Sequence, residues 1–169
     1  MVSYRIEEID ISSLSKKEIQ AKEHDTGRKI LSEILKAELG IEEYEIKTGP
    51  YGKPYLDKEN VFFSIAHSGG FVLCAVSDKE IGADIEAIAP LTKEKASDLA
   101  KRFFSPNELE YLSKNDFDPM CFYSIWTRKE AFSKCLGTPL MQNLSTNILE
   151  NENIVTKISE KYVISIANI

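Results

Sequence analysis

Two segments contain the side chains best suited to chemistry, and the first is residues 81–86. There Asp84 and Glu86 stand two positions apart in an apolar, strand-like run. Residues at this spacing project from the same face of a β-strand, so the two carboxylates are expected to lie side by side. Neighbouring carboxylates repel unless a cation or solvent compensates them, and Mg²⁺ prefers oxygen ligands of this kind. The alternative is a strand end with one solvated acidic face.

The second segment, residues 126–134, is predicted to be helical. It places Trp126, Glu130 and Lys134 on one helical face, and the order of the two charges favours an ion pair. Such a pair on a solvated face is the alternative interpretation. The only tryptophan of the chain shares this face, however, and Arg128 and Lys129 are expected to add positive charge at the same level. Together the two segments predict a Mg²⁺–pyrophosphate site with a base beside it.

Three more residues are candidates for contact with an anion. His67 ends an apolar strand before Ser68-Gly69-Gly70, a predicted hairpin tip whose free backbone N–H groups can hold a phosphate. Lys53 lies in the glycine- and proline-rich loop at residues 49–54. Arg28 is predicted to lie at the start of a helix, although helix starts do not favour cations. The alternatives are a turn histidine bonded to its own loop and solvated basic side chains.

The composition limits the class of protein. A length of 169 residues suits one domain, or two small halves that share a core. The formal charge of −6 predicts that the protein as a whole repels nucleic acid, so any phosphate needs a local basic patch. No apolar run approaches the roughly 20 residues of a membrane span, and the first residues do not resemble a signal peptide. We therefore expect a cytoplasmic location, no membrane partner, and free thiols at the three cysteines.

The predicted elements repeat one order, in which a helix is followed by several strands. Strands are predicted at residues 2–9, 44–47, 61–66, 71–77, 81–86, 145–149, 154–159 and 162–167. Helices are predicted from Ser15 to about Gly40, at 93–103 after Thr92, at 106–113 after Ser105, and at 119–136. An interruption of the first helix near Asp25-Thr26-Gly27 is left open. This order predicts an α+β fold of two similar lobes.

Taken in chain order, the motifs resemble one known family. They are Gly52-Lys53-Pro54, Phe63-Ser64-Ile65-Ala66-His67-Ser68, Gly82-Ala83-Asp84-Ile85-Glu86, Arg102-Phe103-Phe104-Ser105 and Trp126-Thr127-Arg128-Lys129-Glu130-Ala131-Phe132-Ser133-Lys134. The chain resembles the 4′-phosphopantetheinyl transferases of the Sfp-like type over roughly residues 20–169. The resemblance implies an α+β pseudo-twofold pair of lobes, each of antiparallel strands packed with helices, at residues 1–86 and 87–169. It also implies a monomer with coenzyme A in the cleft between the lobes.

The resemblance further implies a reaction and a set of roles. The phosphopantetheine arm of coenzyme A moves to a serine hydroxyl of an apo acyl, polyketide or peptidyl carrier protein, and 3′,5′-ADP is the other product. The implied Mg²⁺ ligands are Asp84, Glu86 and Glu130, and Glu130 is also the implied base. The implied contacts to coenzyme A are Lys134 at the pyrophosphate or leaving group, Lys53 and His67 at the phosphates, and Arg28 at the nucleotide end.

Two departures from the family pattern leave alternatives open. Ala66 stands where many relatives have serine, so one phosphate hydrogen bond is missing or is supplied by Ser64, Ser68 or a backbone N–H. A lost bond to a charged group costs about 1.5–3 kcal/mol. The chain is also short for this type. The alternatives are a module that binds coenzyme A or a carrier without transferring anything, and a different Mg²⁺ enzyme that cleaves pyrophosphates.

The sequence contains one candidate surface for contact with a carrier protein. Carriers of this kind are generally acidic, and this chain is acidic as well, so docking needs a locally basic surface. The candidates are Lys93, Lys95, Lys101 and Arg102, with Phe103 and Phe104 as apolar contacts. A charged outer face on an ordinary helix explains the same residues equally well.

Overall fold

The computed structural model describes residues 1–58 and 60–169, which form an α+β fold of eight strands and four α-helices. The strands are β1 (Val2–Glu8), β2 (Ile46–Thr48), β3 (Pro54–Leu56), β4 (Phe62–Ser68), β5 (Phe71–Ser77), β6 (Ile81–Ala87), β7 (Ile154–Ile158) and β8 (Tyr162–Asn168). The helices are α1 (Lys16–Leu39), α2 (Lys93–Phe103), α3 (Pro106–Lys114) and α4 (Pro119–Leu136). No helix within these residues is long and apolar enough to cross a membrane.

The strands form antiparallel sheets whose order places β6 away from its neighbour in sequence. One sheet has the order β1-β5-β4, a second has the order β6-β8-β7, and β2 pairs with β3. The β4–β5 connection is a hairpin, as predicted, with Ser68 opposite Phe71. Gly69 and Gly70 form its turn at φ values of 56° and 88°, a left-handed conformation that favours glycine.

Local capping signals place the helix ends where the sequence predicts them. Thr92 caps α2, and Ser105 with Glu108 forms a capping box on α3. Gly40 and Gly137 end α1 and α4 in the left-handed conformation. These caps form hydrogen bonds with the unpaired backbone groups at the helix ends and involve residues only a few positions apart. The sequence alone therefore predicts them.

Helix α1 continues without interruption through Gly27. A Cβ at this position would lie 2.7 Å from Cγ2 of Ile65, so the glycine permits close packing of α1 against β4. The prediction that Arg28 lies near the start of a helix is therefore wrong, because Arg28 lies in the middle of α1.

The segment 145–149 is not a strand, although its apolar residues predicted one. Ile148 is fully buried, but its backbone N–H donates to Glu108 and its carbonyl accepts from Arg128. Side chains distant in sequence thus take the place of a strand partner. Conversely, the sequence placed Pro54 in a loop, whereas the structure pairs Pro54–Leu56 with β2.

Strand β6 separates the core from the candidate site. Ile81, Ala83 and Ile85 belong to the apolar cluster between the two larger sheets. On the opposite face a Cβ at Gly82 would lie 2.0 Å from the backbone oxygen of Ala131. Only glycine permits this approach, which lets α4 lie directly on β6. Asp84 shares the face of Gly82 and is therefore directed toward α4.

Candidate active site between β6 and α4

Asp84 on β6 and Lys134 on α4 form the central contact of the candidate site. Asp84 is only 5% exposed, and its Oδ1 accepts a hydrogen bond of 2.6 Å from Nζ of Lys134. Its Oδ2 is buried and has no hydrogen-bond partner among the described residues. Buried polar atoms are nearly always paired, so this oxygen marks a position suited to a ligand.

Glu130 and Glu86 lie close enough to influence Asp84 and each other. Burial raises the pKa of Asp84 to about 7, Lys134 opposes this shift, and the charges of Glu130 and Glu86 add to it. Burial also raises the pKa of Glu130, again opposed by Lys134 and reinforced by Glu86. Ser68 Oγ donates to Oε2 of Glu86 at 2.8 Å. The three acidic residues singled out in the sequence therefore share one electrostatic environment.

The donor set of this environment fits a divalent metal ion. Carboxylate oxygens are the ligands that Mg²⁺ prefers, and one of them, Asp84 Oδ2, has no hydrogen-bond partner within residues 1–58 and 60–169. No three His, Cys, Asp or Glu side chains of the described residues stand together as a complete metal cluster. Asp84 instead meets the ammonium of Lys134.

Trp126, Glu130 and Lys134 share one helical face, but they make different kinds of contact, which the sequence did not indicate. Trp126 packs with Phe122, with ring centroids 6.1 Å apart. Lys134 pairs with Asp84 rather than with Glu130, so the simple ion pair along a solvated helix is not what the structure shows.

Arg128 and Lys129 do not add positive charge to the candidate site, contrary to the sequence prediction. Arg128 donates to the backbone carbonyls of Ile148 and Ile154. Lys129 is fully buried and lies 2.7 Å from Glu108, which is also fully buried. Both cations therefore hold other elements against α4.

His67 lies at the end of β4 and contacts α1 instead of its own loop. Its Nδ1 lies 2.9 Å from Oε2 of Glu23, a buried carboxylate. The packing of Gly27 against Ile65 brings this part of α1 to β4. Sequence reasoning missed Glu23, although its position one helical turn before Gly27 on the buried stripe of α1 is a usable signal.

Lys53 lies beside the end of α4, where two clefts adjoin. Its Nζ lies 2.5 Å from Oε2 of Glu80 and donates to the carbonyl of Cys135. Lys53 lines a cleft of about 780 Å³ and a smaller one of about 250 Å³, and Lys134 and Ser64 also line the smaller. The structure thus brings Lys53 near Lys134, whereas His67 is held separately by Glu23.

The serine positions around Ala66 are partly committed to other contacts. Ala66 is buried in the apolar cluster between the sheets. Ser64 Oγ accepts from the backbone N–H of Ala83, which leaves its own hydroxyl proton available. Ser68 uses its proton on Glu86. Of the two hydroxyls, Ser64 is therefore the one able to donate to a phosphate.

The basic surface on α2 contains fewer free groups than the sequence suggests. Lys93 pairs with Asp116, and the guanidinium of Arg102 lies 4.9 Å from the ring centroid of Phe103. Phe104 is buried and stacks on Phe122. The prediction that Phe104 is an apolar contact for a partner is therefore wrong, because its ring belongs to the core.

This part of the chain matches a known protein family. The model of the 4′-phosphopantetheinyl transferase superfamily matches residues 80–166, which include β6, α4 and β8. The chain belongs to this superfamily.

Individual relatives are similar over different lengths. A 4′-phosphopantetheinyl transferase of Bacillus subtilis is 44% identical over 93 residues, covering 53% of this chain and 40% of the relative. The 4′-phosphopantetheinyl transferase Sfp of Bacillus subtilis strain 168 is 36% identical over 126 residues, covering 69% and 54%. The Bacillus subtilis protein ffp is 32% identical over 151 residues, covering 82% and 66%. The chain thus spans about half the length of several curated relatives that it matches.

Proposed function

We propose that this protein transfers the 4′-phosphopantetheine group of coenzyme A to a serine hydroxyl of an apo carrier protein and releases 3′,5′-ADP. The observation that supports this most is the grouping of Asp84, Glu86, Glu130 and Lys134 between β6 and α4, within the segment that matches the family. The relatives are themselves named 4′-phosphopantetheinyl transferases.

Asp84, Glu86 and Glu130 are proposed to hold Mg²⁺. The partnerless oxygen of Asp84 and the all-carboxylate donor set support this assignment. When bound, the ion would neutralise charge on the pyrophosphate of coenzyme A and orient it.

Glu130 is proposed to be the base for the serine. It accepts the hydroxyl proton, directly or through a water, because a serine hydroxyl is a poor nucleophile until a base takes its proton. Burial raises the pKa of Glu130, which makes it a stronger proton acceptor once ionised. The serine oxygen bonds to the phosphorus that carries the pantetheine, and the bond from this phosphorus to the bridging oxygen breaks. The bridging oxygen keeps the electron pair and leaves with 3′,5′-ADP, whose charge Lys134 offsets.

The remaining residues are proposed to bind coenzyme A. Lys53 and His67 would hold its phosphates, and Arg28, exposed on α1, would approach the nucleotide end. The two halves, residues 1–86 and 87–169, are proposed to be pseudo-twofold lobes with coenzyme A in the cleft between them. The cytoplasm, where coenzyme A is available, is the proposed location, and a monomer is the proposed state.

The direct test is to weigh apo carrier proteins of the acyl, polyketide and peptidyl types after incubation with the protein, coenzyme A and Mg²⁺. We expect at least one carrier to gain the mass of phosphopantetheine, and Glu130→Gln to prevent the gain. Binding of coenzyme A without any gain would instead indicate a binding module. Cleavage of coenzyme A in the absence of a carrier would indicate a pyrophosphate-cleaving enzyme.

A further inference from the structure

Glu23 is a buried carboxylate that the proposed mechanism does not use. It belongs to the buried stripe of α1 with Gly27, Ile30 and Ile34, and its side chain is only 7% exposed. A carboxylate on such a stripe is costly unless a partner compensates it. Within residues 1–58 and 60–169 its one ion-pair partner is His67, whose Nδ1 lies 2.9 Å away.

The contact holds one side of the imidazole and leaves the other side open. The His67 side chain is 47% exposed, so the ring reaches solvent while Nδ1 faces Glu23. Nε2 has no hydrogen-bond partner among the described residues. The next residue, Ser68, donates to Glu86 on the opposite face of β4, so His67 on the α1 face lies one residue from a contact of the acidic cluster. In the imidazolium form both ring nitrogens are donors, so a ring fixed at Nδ1 by Glu23 can donate from Nε2 to an anion.

We propose that Glu23 is a positioning residue that orients His67 for a phosphate of the substrate. This inference rests on the proposed function, since it takes coenzyme A as the anion. Packing alone does not explain a carboxylate at this position, because an apolar side chain would continue the buried stripe without a charge to compensate. Glu23 touches no substrate itself and acts only through the imidazole.

The first experiment measures coenzyme A affinity by calorimetry for Glu23→Leu and Glu23→Gln. We expect Glu23→Leu to weaken binding on the order of tenfold and Glu23→Gln to weaken it less, because the amide keeps an acceptor for the ring. The transfer rate at saturating coenzyme A should change little. Glu38→Gln, at an exposed position of the same helix, is the matched control and should bind as the unchanged protein does.

The second experiment separates positioning from stability. In a His67→Ala background, Glu23→Leu should weaken binding no further, since its effect passes through the ring. The thermal midpoint of Glu23→Leu should equal or exceed that of the unchanged protein. Unchanged affinity in Glu23→Leu, or an equal loss with and without His67, would overturn the inference.

A third measurement keeps this inference distinguishable from the proposed function. The ¹⁵N shifts of the His67 ring, recorded without ligand, should change in Glu23→Leu and remain unchanged in Glu38→Gln. Identical His67 shifts in Glu23→Leu and the unchanged protein would overturn the positioning role. Failure of the unchanged protein to bind coenzyme A would instead overturn the proposed function.

Discussion

Helix α4 carries two lysine–carboxylate pairs that differ in how completely their polar atoms are satisfied. Lys129 and Glu108 are both fully buried; Lys129 also donates to the carbonyls of Leu144 and Thr146. Glu108 accepts from Ser105 and from the backbone of Ile148. The pair therefore ties α3, α4 and the 144–148 segment together.

The second pair, Lys134 and Asp84, is open by comparison. The Lys134 side chain is 35% exposed, and Asp84 keeps one buried oxygen that has no partner in the part of the chain that the structure describes. Five positions place the two lysines about 140° apart around the helix, so they face different neighbours. The pair with satisfied polar atoms therefore stabilises the fold, whereas the incomplete pair is available to a ligand.

Replacement of Glu130 should have the greatest effect on the rate of transfer, unlike replacement of a charge that only contributes to stability. Glu130→Gln should lower the rate of transfer about 10²–10⁴-fold, because the base is lost. The thermal midpoint should stay within a few degrees. Single-turnover kinetics with a carrier measures the rate. Glu110→Gln, which removes an exposed charge paired with Lys114, is the control and should retain full activity. Transfer by Glu130→Gln at a near-normal rate would remove Glu130 from the mechanism.

Breaking the satisfied pair should affect stability first. Lys129→Met should lower the free energy of unfolding by about 3–5 kcal/mol, because Glu108 is left buried without its cation. Urea denaturation measures this change. Adding Glu108→Leu should recover part of the loss. A single variant as stable as the unchanged protein would show that the pair does not hold the fold.

The open pair should show the opposite behaviour, with a defined dependence on pH. The pKa of Asp84 rises from 3.8 in the unfolded chain to about 7 in the folded protein, chiefly through burial. The stability that Asp84 contributes is therefore present below about pH 4 and is lost as the pH rises toward 7. In EDTA, Asp84→Asn should gain roughly 2–4 kcal/mol relative to the unchanged protein between pH 4 and pH 8. If the free energy of unfolding of Asp84→Asn and of the unchanged protein changed in parallel from pH 4 to pH 8, the raised pKa of Asp84 would be contradicted.

The smallest effect concerns the hydroxyl beside His67. Ser68→Ala removes the 2.8 Å hydrogen bond to Glu86 and should lower transfer by about tenfold or more, since a hydrogen bond to a charged group is worth about 1.5–3 kcal/mol. Steady-state kinetics at varied Mg²⁺ measures the change, which should appear as a higher Mg²⁺ requirement. Ser13→Ala, at an exposed turn, is the control. An unchanged Mg²⁺ requirement in Ser68→Ala would show that the hydrogen bond from Ser68 does not support metal binding by Glu86.

The features predicted correctly from the sequence depend on local chemistry. The bounds of α2 and α4 follow from Thr92, Pro119 and Gly137, which act within one turn. The predictions that were wrong concern features that depend on partners distant in sequence. Lys129 and Glu130 are neighbours in sequence, and only the packing of α4 on β6 decides that one is structural and the other faces the candidate site. The role proposed for Glu23 likewise depends on its contact with His67, which lies 44 positions away. No local sequence pattern predicts this contact.

The buried Oδ2 of Asp84 is proposed to be a ligand position for a divalent ion beside coenzyme A. Calorimetric titration of Mg²⁺ into the protein saturated with coenzyme A tests it most directly, with Asp84→Asn and Glu110→Gln measured in parallel. We expect the unchanged protein and Glu110→Gln to bind one ion, and Asp84→Asn to bind none over the same concentrations. Binding by Asp84→Asn with unaltered affinity would contradict this proposal.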